Sequence, residues 1–522
     1  MRVVITGGAG FLGQSLARSL VRRGALLTHR HDGQESTAKI QSIVLADVHR
    51  PERLLFEAEL LDGAGGVDTS VAVGDVADRA FCDALVGDGA GPLSVFHLGA
   101  VMSGQGEADF DLCLATNLAG TMHMLEAARR SGAPRPRFVY ASAGATLGAG
   151  APTDWVASDG EVSDATRATP HTTYGMTKAC GELLLADYSR KGFVDGRGVR
   201  LPSVVVRAGA PNAATTGVYS GVVRETLAGV DTASPIAGGV KHAVAGARSA
   251  VASLVAAHDA PAATADAVLG YDRTVFLRST SVSIDELVAA VRRNVDPASA
   301  GELGRVTFAV DDTLSAAVGS FPVRVDAARA EKLGFPAPGS ADDLVREYMQ
   351  DFPEALAAGV APAPAAPPAP LVPADARRVA LVTGGGSGIG RAVAVRLAAG
   401  GWTDAAPVVV VAGRRRAPLE ETAALAEAAH PGCAVVVAPA DLTDPKDVER
   451  LFAELPRCDL LFNNAGVNVP PTSVEDMSLD AWRYVVGTNV DAAFHATIPA
   501  SLFARAELDD AFRRSRARPS GS

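Results

Sequence analysis

Residues 4–13, VITGGAGFLG, pass from a β-branched run into a cluster of glycines, and the helical stretch 11–23 that follows closes at Gly24. Strand, glycine turn and helix in this order make a phosphate cradle. Without Cβ atoms the backbone N–H groups at the helix start can close on a pyrophosphate, and the helix dipole favours negative charge there. Gly7, Gly10 and Gly13 carry the turn, with Phe11 and Leu12 opening the helix beside it. A glycine triplet alone is a weak signal, and its place directly after the first strand makes it a prediction of dinucleotide binding.

Outward from this loop, apolar runs at 2–6, 42–47, 69–74, 93–99, 137–142 and 203–208 alternate with helical stretches at 11–23, 107–131 and 173–190. That rhythm predicts an α/β fold with a doubly wound parallel sheet of the Rossmann type. From about 209 to 353 it loosens into short strands (RTVFLRS), a helix after the cap-like Ser283 and a last helix at 340–351. This is the pattern of a small substrate-binding region completing a domain of residues 1–355, whose cofactor-binding core runs to about 208. AGVAPAPAAPPAPLVPADA, 358–376, then places six prolines among alanines, a composition that favours extended chain. It marks a linker over 356–376. The rhythm restarts in 377–522, with strands at 378–383, 407–412, 433–438 and 458–463, helices at 388–399, 417–429 and 446–454, and a polar, arginine-rich tail from about 510.

At 522 residues, 48% hydrophobic and 20% charged, the chain is a globular protein too long for one core. A net charge of −11 without a basic cluster excludes a nucleic-acid footprint. Cys82, Cys113, Cys180, Cys433 and Cys458 are odd in number and form no Cys-x-x-Cys pair, so reduced, buried thiols are expected rather than disulfides or a metal site. The start lacks the apolar stretch of a secretory signal, and no run approaches a membrane span. A cytoplasmic protein acting on small molecules is expected, with no metal, nucleic-acid or membrane partner.

An acidic residue ending the second strand would hydrogen-bond the adenosine ribose and repel a 2′-phosphate, which selects NAD. Asp47 fits, but 34 residues separate it from Gly13, so Asp32 is a rival within the polar stretch HRHDGQESTAK. His29 and His31 in that stretch are expected to be solvated. Asp75 and Val76, after the third strand, are placed to hold the adenine edge. The chemical signal is YGMTK: of the six tyrosines before the linker only Tyr174 has a lysine four residues on, Lys178, one turn along a helix face. A phenol becomes a useful base only if its pKa falls from ~10 towards neutrality, and an adjacent cation contributes to that.

Together these features resemble the extended short-chain dehydrogenase/reductases, the NAD-dependent epimerase/dehydratase family, over residues 1–353. HLGAVMSGQGEADFDLCLATNLAGT (97–121) and ADYSRKGFVDGRGVRLPSVVVRAGAPNAA (186–214) are similar to members that oxidise the C2 hydroxyl of the sugar acid D-erythronate with NAD. The resemblance implies that Tyr174 is the base, that Lys178 depresses its pKa and holds the nicotinamide ribose, and that Asn117 is the asparagine beside the site. Ser103 and Thr173 would meet the substrate, and a homodimer is implied. The family places Ser or Thr after the fifth strand, where ASAGATLG puts Ala143, leaving Ser142 and Thr146 as candidates for the hydroxyl. Ala210 stands where close relatives carry a basic residue. An acid substrate needs a cation, and Arg224 is the candidate, with pairing to Glu225 or Glu182 as the alternative; Arg207 reads as a buried structural pair. The alternatives in function are a nucleotide-sugar 4-epimerase and a catalytically impaired NAD-binding protein.

After the linker, Gly384, Gly388 and Gly390, Asp441, the NNAG at 463–466 containing Asn464, and Asn489 resemble the shorter, single-domain subtype of the same superfamily. Arg414 and Arg415 follow the second strand, where a guanidinium grips a 2′-phosphate, so this cradle would take NADP. Its one tyrosine, Tyr484, is followed at the fourth position by Thr488, and its one lysine is Lys446. The second domain is therefore expected to be incomplete and to do no chemistry.

Overall fold

The computed structural model describes every residue except 62–65, 90, 149–160, 210–215, 364–370, 373–375, 377, 401, 403–406, 469–476 and 502–522. Ala210, the loop 211–214 and the arginine-rich tail lie outside the described residues. The chain divides into two units, Met1–Ala363 and Pro364–Ser522.

Seven strands form the core of the first unit: β1 (Arg2–Thr6), β2 (Ser42–Asp47), β3 (Asp68–Val73), β4 (Leu93–His97), β5 (Arg137–Ala143), β6 (Asp195–Leu201) and β7 (Thr274–Phe276). They lie in the order β3-β2-β1-β4-β5-β6-β7, every neighbouring pair parallel. Successive strand residues point to opposite faces, so Val3 and Ile5 enter one apolar core and Val4 the other. A parallel sheet covered on both faces reads as continuous apolar runs, which is why its central strands were legible.

Three elements depart from expectation. The sixth strand is DGRGVRL, 195–201; the run at 203–208 contributes only Ser203–Val205, paired with Lys241–Gly246 in a separate small sheet. Glycines and charges disguised β6, yet close packing requires them: a Cβ on Gly198 would lie 2.3 Å from the Thr274 hydroxyl of β7. RTVFLRS supplies β7 itself, so the later segment completes the main sheet. The stretch 107–131 is broken at Asp109, whose carboxylate caps Leu112 N–H of a new helix, and continues through a π-helical turn, Leu114–Ala119, into the helix Gly120–Arg130.

Between the first helix and β2 lies an antiparallel hairpin, Ala25–His29 with Glu35–Lys39, which absorbs the long spacing to Asp47. His29 is not solvated: it is buried, and its Nε2 lies 2.9 Å from Asp195. Asp195, at the N-terminal end of β6, also meets Arg197 at 2.8 Å, Arg273 at 3.1 Å and Arg137 at 3.6 Å. Burial raises the Asp195 pKa, but the His29 hydrogen bond and the Arg197 charge outweigh it and hold the carboxyl well below the usual range. Glu35 joins through Arg137. His29, Glu35 and Asp195 cluster like metal ligands, but the positive charges among them are arginines. Nearby, Ser94, His258 and Asp259 line up at 2.7 Å and 2.7 Å. Ser94 and His258 are 0% exposed, so this hydrolase-like row is a packing device.

His97, His242 and His258 are all buried, and burial is the main reason their pKa values fall to about 3, 4 and 4. An unfolded histidine titrates near ~6.5, so below that pH the unfolded chain binds protons the folded chain refuses. The stabilisation is fully present above about pH 6.5 and is lost as pH falls towards 4, at a slope of up to about 4 kcal/mol per pH unit. Thermal unfolding should show Tm dropping steeply between pH 6.5 and 4.5; a flat profile would remove these histidines as the cause.

Among its described residues the second unit holds four parallel strands, β8 (Val379–Thr383), β9 (Val408–Gly413), β10 (Ala434–Pro439) and β11 (Leu460–Phe462), in the order β10-β9-β8-β11. Its last described helical segments expose Leu479, Trp482, Tyr484, Val490, Phe494 and Ile498. The linker is bound at both ends: Ala363 N–H donates to Asn294 in the first unit, and Val372 is buried in the core of the second. Cys82 and Cys113 are buried thiols, whereas Cys180, Cys433 and Cys458 are half-buried. Among the described residues no helix is long and apolar enough to cross a membrane.

Candidate active site

The site gathers at the C-terminal edge of the first sheet. After Thr6 the chain turns at Gly7 with φ +65°, and Gly10 N–H closes on Gly7 O at 3.1 Å. A Cβ on Gly13 would sit 2.4 Å from Gly7 O, and one on Gly7 would sit 2.9 Å from Gly99. Such backbone proximity is what a pyrophosphate cradle requires. Asp47 ends β2 inside this cradle: its carboxylate accepts Ala9 N–H at 3.1 Å and Val48 N–H at 2.9 Å. Asp32 lies in the exposed hairpin turn, where it accepts Gln34 N–H at 3.0 Å. Phe11 and Leu12 are half-buried at the helix start. Asp75 caps Ala77 N–H at 2.9 Å, and Val76 is buried against Gly120. These residues fit an adenine dinucleotide.

Thr172 caps the helix Thr173–Arg190 through Gly175 N–H, which sets Tyr174 and Lys178 one turn apart. Lys178 Nζ lies 5.8 Å from the centre of the Tyr174 ring and donates to Ala141 O at 2.7 Å. Burial pushes Tyr174 up to about 12, Arg207 pulls it down, and Cys113 pushes it up. Burial lowers Lys178 to about 8. The protein's own groups therefore leave the phenol protonated at neutral pH.

Ser142 turns away, donating to Glu182, which is paired with Arg200 at 2.8 and 2.7 Å. Thr146 donates to Ala143 O at 3.0 Å. Ser103 opens the short helix Ser103–Ala108, which Glu107 ties to Thr173 N–H at 2.7 Å. Asn117 sits in the π-helical turn and clamps Val101, accepting its N–H at 2.7 Å and donating to its carbonyl at 2.9 Å. Arg224 donates to Glu225 and, at 2.9 Å, to the Arg207 carbonyl. Arg207 adds a positive charge that draws the phenol down. Its signal was missed because it lies 33 residues from Tyr174 in a segment read as buried strand. Thr6 was missed too: its hydroxyl accepts Gly99 N–H at 3.1 Å and meets His97 Nδ1 at 2.7 Å.

The second unit repeats these devices. Gly384 turns with φ +64°, and a Cβ on Gly390 would lie 2.4 Å from its carbonyl. The helix Gly388–Ala398 begins there, and Asn464 holds the loop through Thr383 O at 3.1 Å. Thr383 accepts Asn464 N–H as Thr6 accepts Gly99, and Asn489 clamps Val467 from a π-helical turn as Asn117 clamps Val101. A cavity of about 240 Å³ is lined by Gly384, Gly386, Arg414, Arg415, Asp441 and Asn464, among others. Arg414 Nη2 reaches Tyr484 Oη at 3.4 Å, while Lys446 is exposed on the helix Pro445–Ala453.

Comparison with known proteins agrees with both halves. Residues 3–263 match the model of the NAD dependent epimerase/dehydratase family, and residues 378–502 that of short chain dehydrogenase. The chain is 40% identical over 351 residues to D-erythronate dehydrogenase of Cupriavidus necator, covering 67% of this chain and 98% of that protein. A solved nucleoside-diphosphate-sugar epimerase from Agrobacterium tumefaciens superposes with a TM-score of 0.55 at 30% identity, over 68% of this chain and 95% of the other. The second unit is 35% identical over 128 residues to sulfoacetaldehyde reductase 2 of Chromohalobacter salexigens, spanning 48% of its length.

Proposed function

Because the chain belongs to the NAD dependent epimerase/dehydratase family, we propose that its first unit uses NAD to oxidise the C2 hydroxyl of a small sugar acid such as D-erythronate. The observation that carries this is the Tyr174–Lys178 pair on one helix, at the sheet edge that also holds the glycine turn and Asp47. Similarity along nearly the full length of D-erythronate dehydrogenase supports the substrate class. Bound NAD supplies the acceptor for the hydrogen leaving C2 with its electron pair. Tyr174 Oη takes the hydroxyl proton. Lys178, below its ordinary pKa because it is buried, holds positive charge beside the ring up to about pH 8. Asn117 keeps the Val101 backbone, and with it the loop after β4, in place.

The test is the build-up of NADH absorbance when the full chain meets NAD and a panel of four- to six-carbon sugar acids. A nucleotide-sugar epimerase would convert a nucleotide sugar without accumulating NADH. Tight NAD binding with no NADH from any acid would point instead to an impaired binding protein and overturn the dehydrogenase.

For the second unit we infer NADP binding without turnover, supported by the arginine-lined cavity and by a Tyr484 with no lysine one turn along. Replacing Arg414 and Arg415 by Ala should weaken NADP binding about tenfold or more in calorimetry of the full chain, since each guanidinium–phosphate contact is charge-assisted. NAD affinity should stay put. NADP binding unaffected by the double variant would refute the site.

A further inference from the structure

A turn that holds the cofactor and a helix that holds the base act together only if their spacing is fixed, because a misplacement of about 1 Å can cost on the order of 100-fold in rate. In the first unit a row of buried side chains joins the two. It starts at Thr6, the residue before Gly7: its oxygen accepts Gly99 N–H at 3.1 Å, and its hydroxyl lies 2.7 Å from His97 Nδ1. Across the ring, Nε2 lies 3.0 Å from the hydroxyl of Thr121, which donates to the Asn117 carbonyl at 2.6 Å. Asn117 Nδ2 donates to Thr177 Oγ1 at 3.3 Å, and Thr177 donates to the Tyr174 carbonyl at 2.9 Å. Thr6, His97, Thr121, Asn117 and Thr177 are all buried.

The protons along this row have one arrangement. Thr121 gives its hydrogen to Asn117 and so accepts from Nε2–H; a neutral imidazole then has only Nδ1 left to accept, from the Thr6 hydroxyl. Burial, helped by the Lys178 charge, lowers the His97 pKa to about 3 and keeps the ring neutral. Its plane is set by stacking on Tyr140, 6.0 Å away and 20° from parallel. The second unit supplies the contrast. It repeats the glycine turn and the asparagine clamp without a Tyr-x-x-x-Lys, and among its described residues the bridge is not repeated. Thr383 turns its hydroxyl to Phe462 O at 3.3 Å, while Asn463, standing where His97 does, donates to Thr497 Oγ1 at 3.0 Å.

We propose that His97, acting through Thr121 and Asn117, is a positioning residue that holds the cofactor turn and the Tyr174 helix in register, so that filling the turn steadies the base. The catalytic side of this rests on the sugar-acid reading above.

The experiment loads the full chain with ADP, which fills the turn and carries no nicotinamide, and follows amide hydrogen exchange along the chain. In wild type, ADP should slow exchange at residues 173–178 as well as at 3–13, by about fivefold, the lower end of ordinary coupling between sites. Thr121→Val, which keeps the shape and removes the hydroxyl, should confine the protection to 3–13, and Thr121→Ser should restore it. In NADH formation from D-erythronate, Thr121→Val should lower kcat about tenfold with NAD affinity and acid KM within about threefold, while Thr121→Ser stays near wild type. His97→Phe keeps a ring and loses both bonds, and should match Thr121→Val, which carries the test if the His97 variant does not fold. ADP protection that stops at the turn in wild type, or that reaches 173–178 equally in Thr121→Val, would overturn the proposal, as would a kcat that neither substitution lowers. No NADH from wild type with any acid would bring down the sugar-acid reading alone, and the exchange pattern would still decide the bridge.

Discussion

Tyr174→Phe is expected to lower kcat about 10³-fold, within the range that removing a positioned general base commands. NAD affinity should stay within about threefold, because a single ring hydroxyl is removed and the glycine turn, Asp47 and Lys178 are untouched. Burial leaves the phenol at about 12 in the ligand-free protein, so reaching neutrality takes about five pKa units, roughly 7 kcal/mol of differential stabilisation. The pull of Arg207 is already contained in that value, so the fall must come from positive charge that arrives with the bound reactants. Fluorescence titration of NAD and single-turnover NADH formation separate the two effects. A Tyr174→Phe chain that still turns over would mean that the base lies elsewhere.

The second large effect is on stability. Asp195→Ala should destabilise the first unit by about 3–5 kcal/mol, the usual consequence of removing one partner from a buried ion cluster. Arg197 and Arg273 both lean on this carboxylate, with Arg137 close by, and His29 bonds to it from the hairpin. Urea unfolding followed by circular dichroism would measure the loss. A shift below 1 kcal/mol would mean that water enters and replaces the carboxylate. The defect should be thermodynamic only, because Asp195 starts β6 at the edge opposite the site.

What was legible follows from which forces are local. The glycine turn and Tyr174–Lys178 are fixed by spacing within one turn of chain, so they could be read without a fold. Asp47 was recognisable by chemistry even though the hairpin spoiled its count. Strand β6 was invisible because Asp195 and Arg200 are buried charges whose partners are remote: His29, Arg137 and Glu182 lie on other elements. Arg207 and Arg224 look alike in sequence, and only the fold shows that Arg224 is paired with Glu225 and donates to the Arg207 carbonyl. The absence of a Tyr-x-x-x-Lys in the second unit needed counting alone, and the cradle that survives there repeats the first down to its asparagine clamp.

The hairpin that carries His29 has a consequence in time. His29 and Glu35 leave the ribosome early, yet Asp195 follows His29 by 166 residues, and the Ala262 N–H that Glu35 caps follows by 227. At ordinary translation rates of about 5–20 residues per second, the hairpin waits on the order of 10–45 s for the groups that lock it. During synthesis the hairpin is thus exposed with His29 and Glu35 still lacking the partners that the folded chain gives them. Chaperone dependence, or sensitivity to slow codons between positions 35 and 262, should concentrate there.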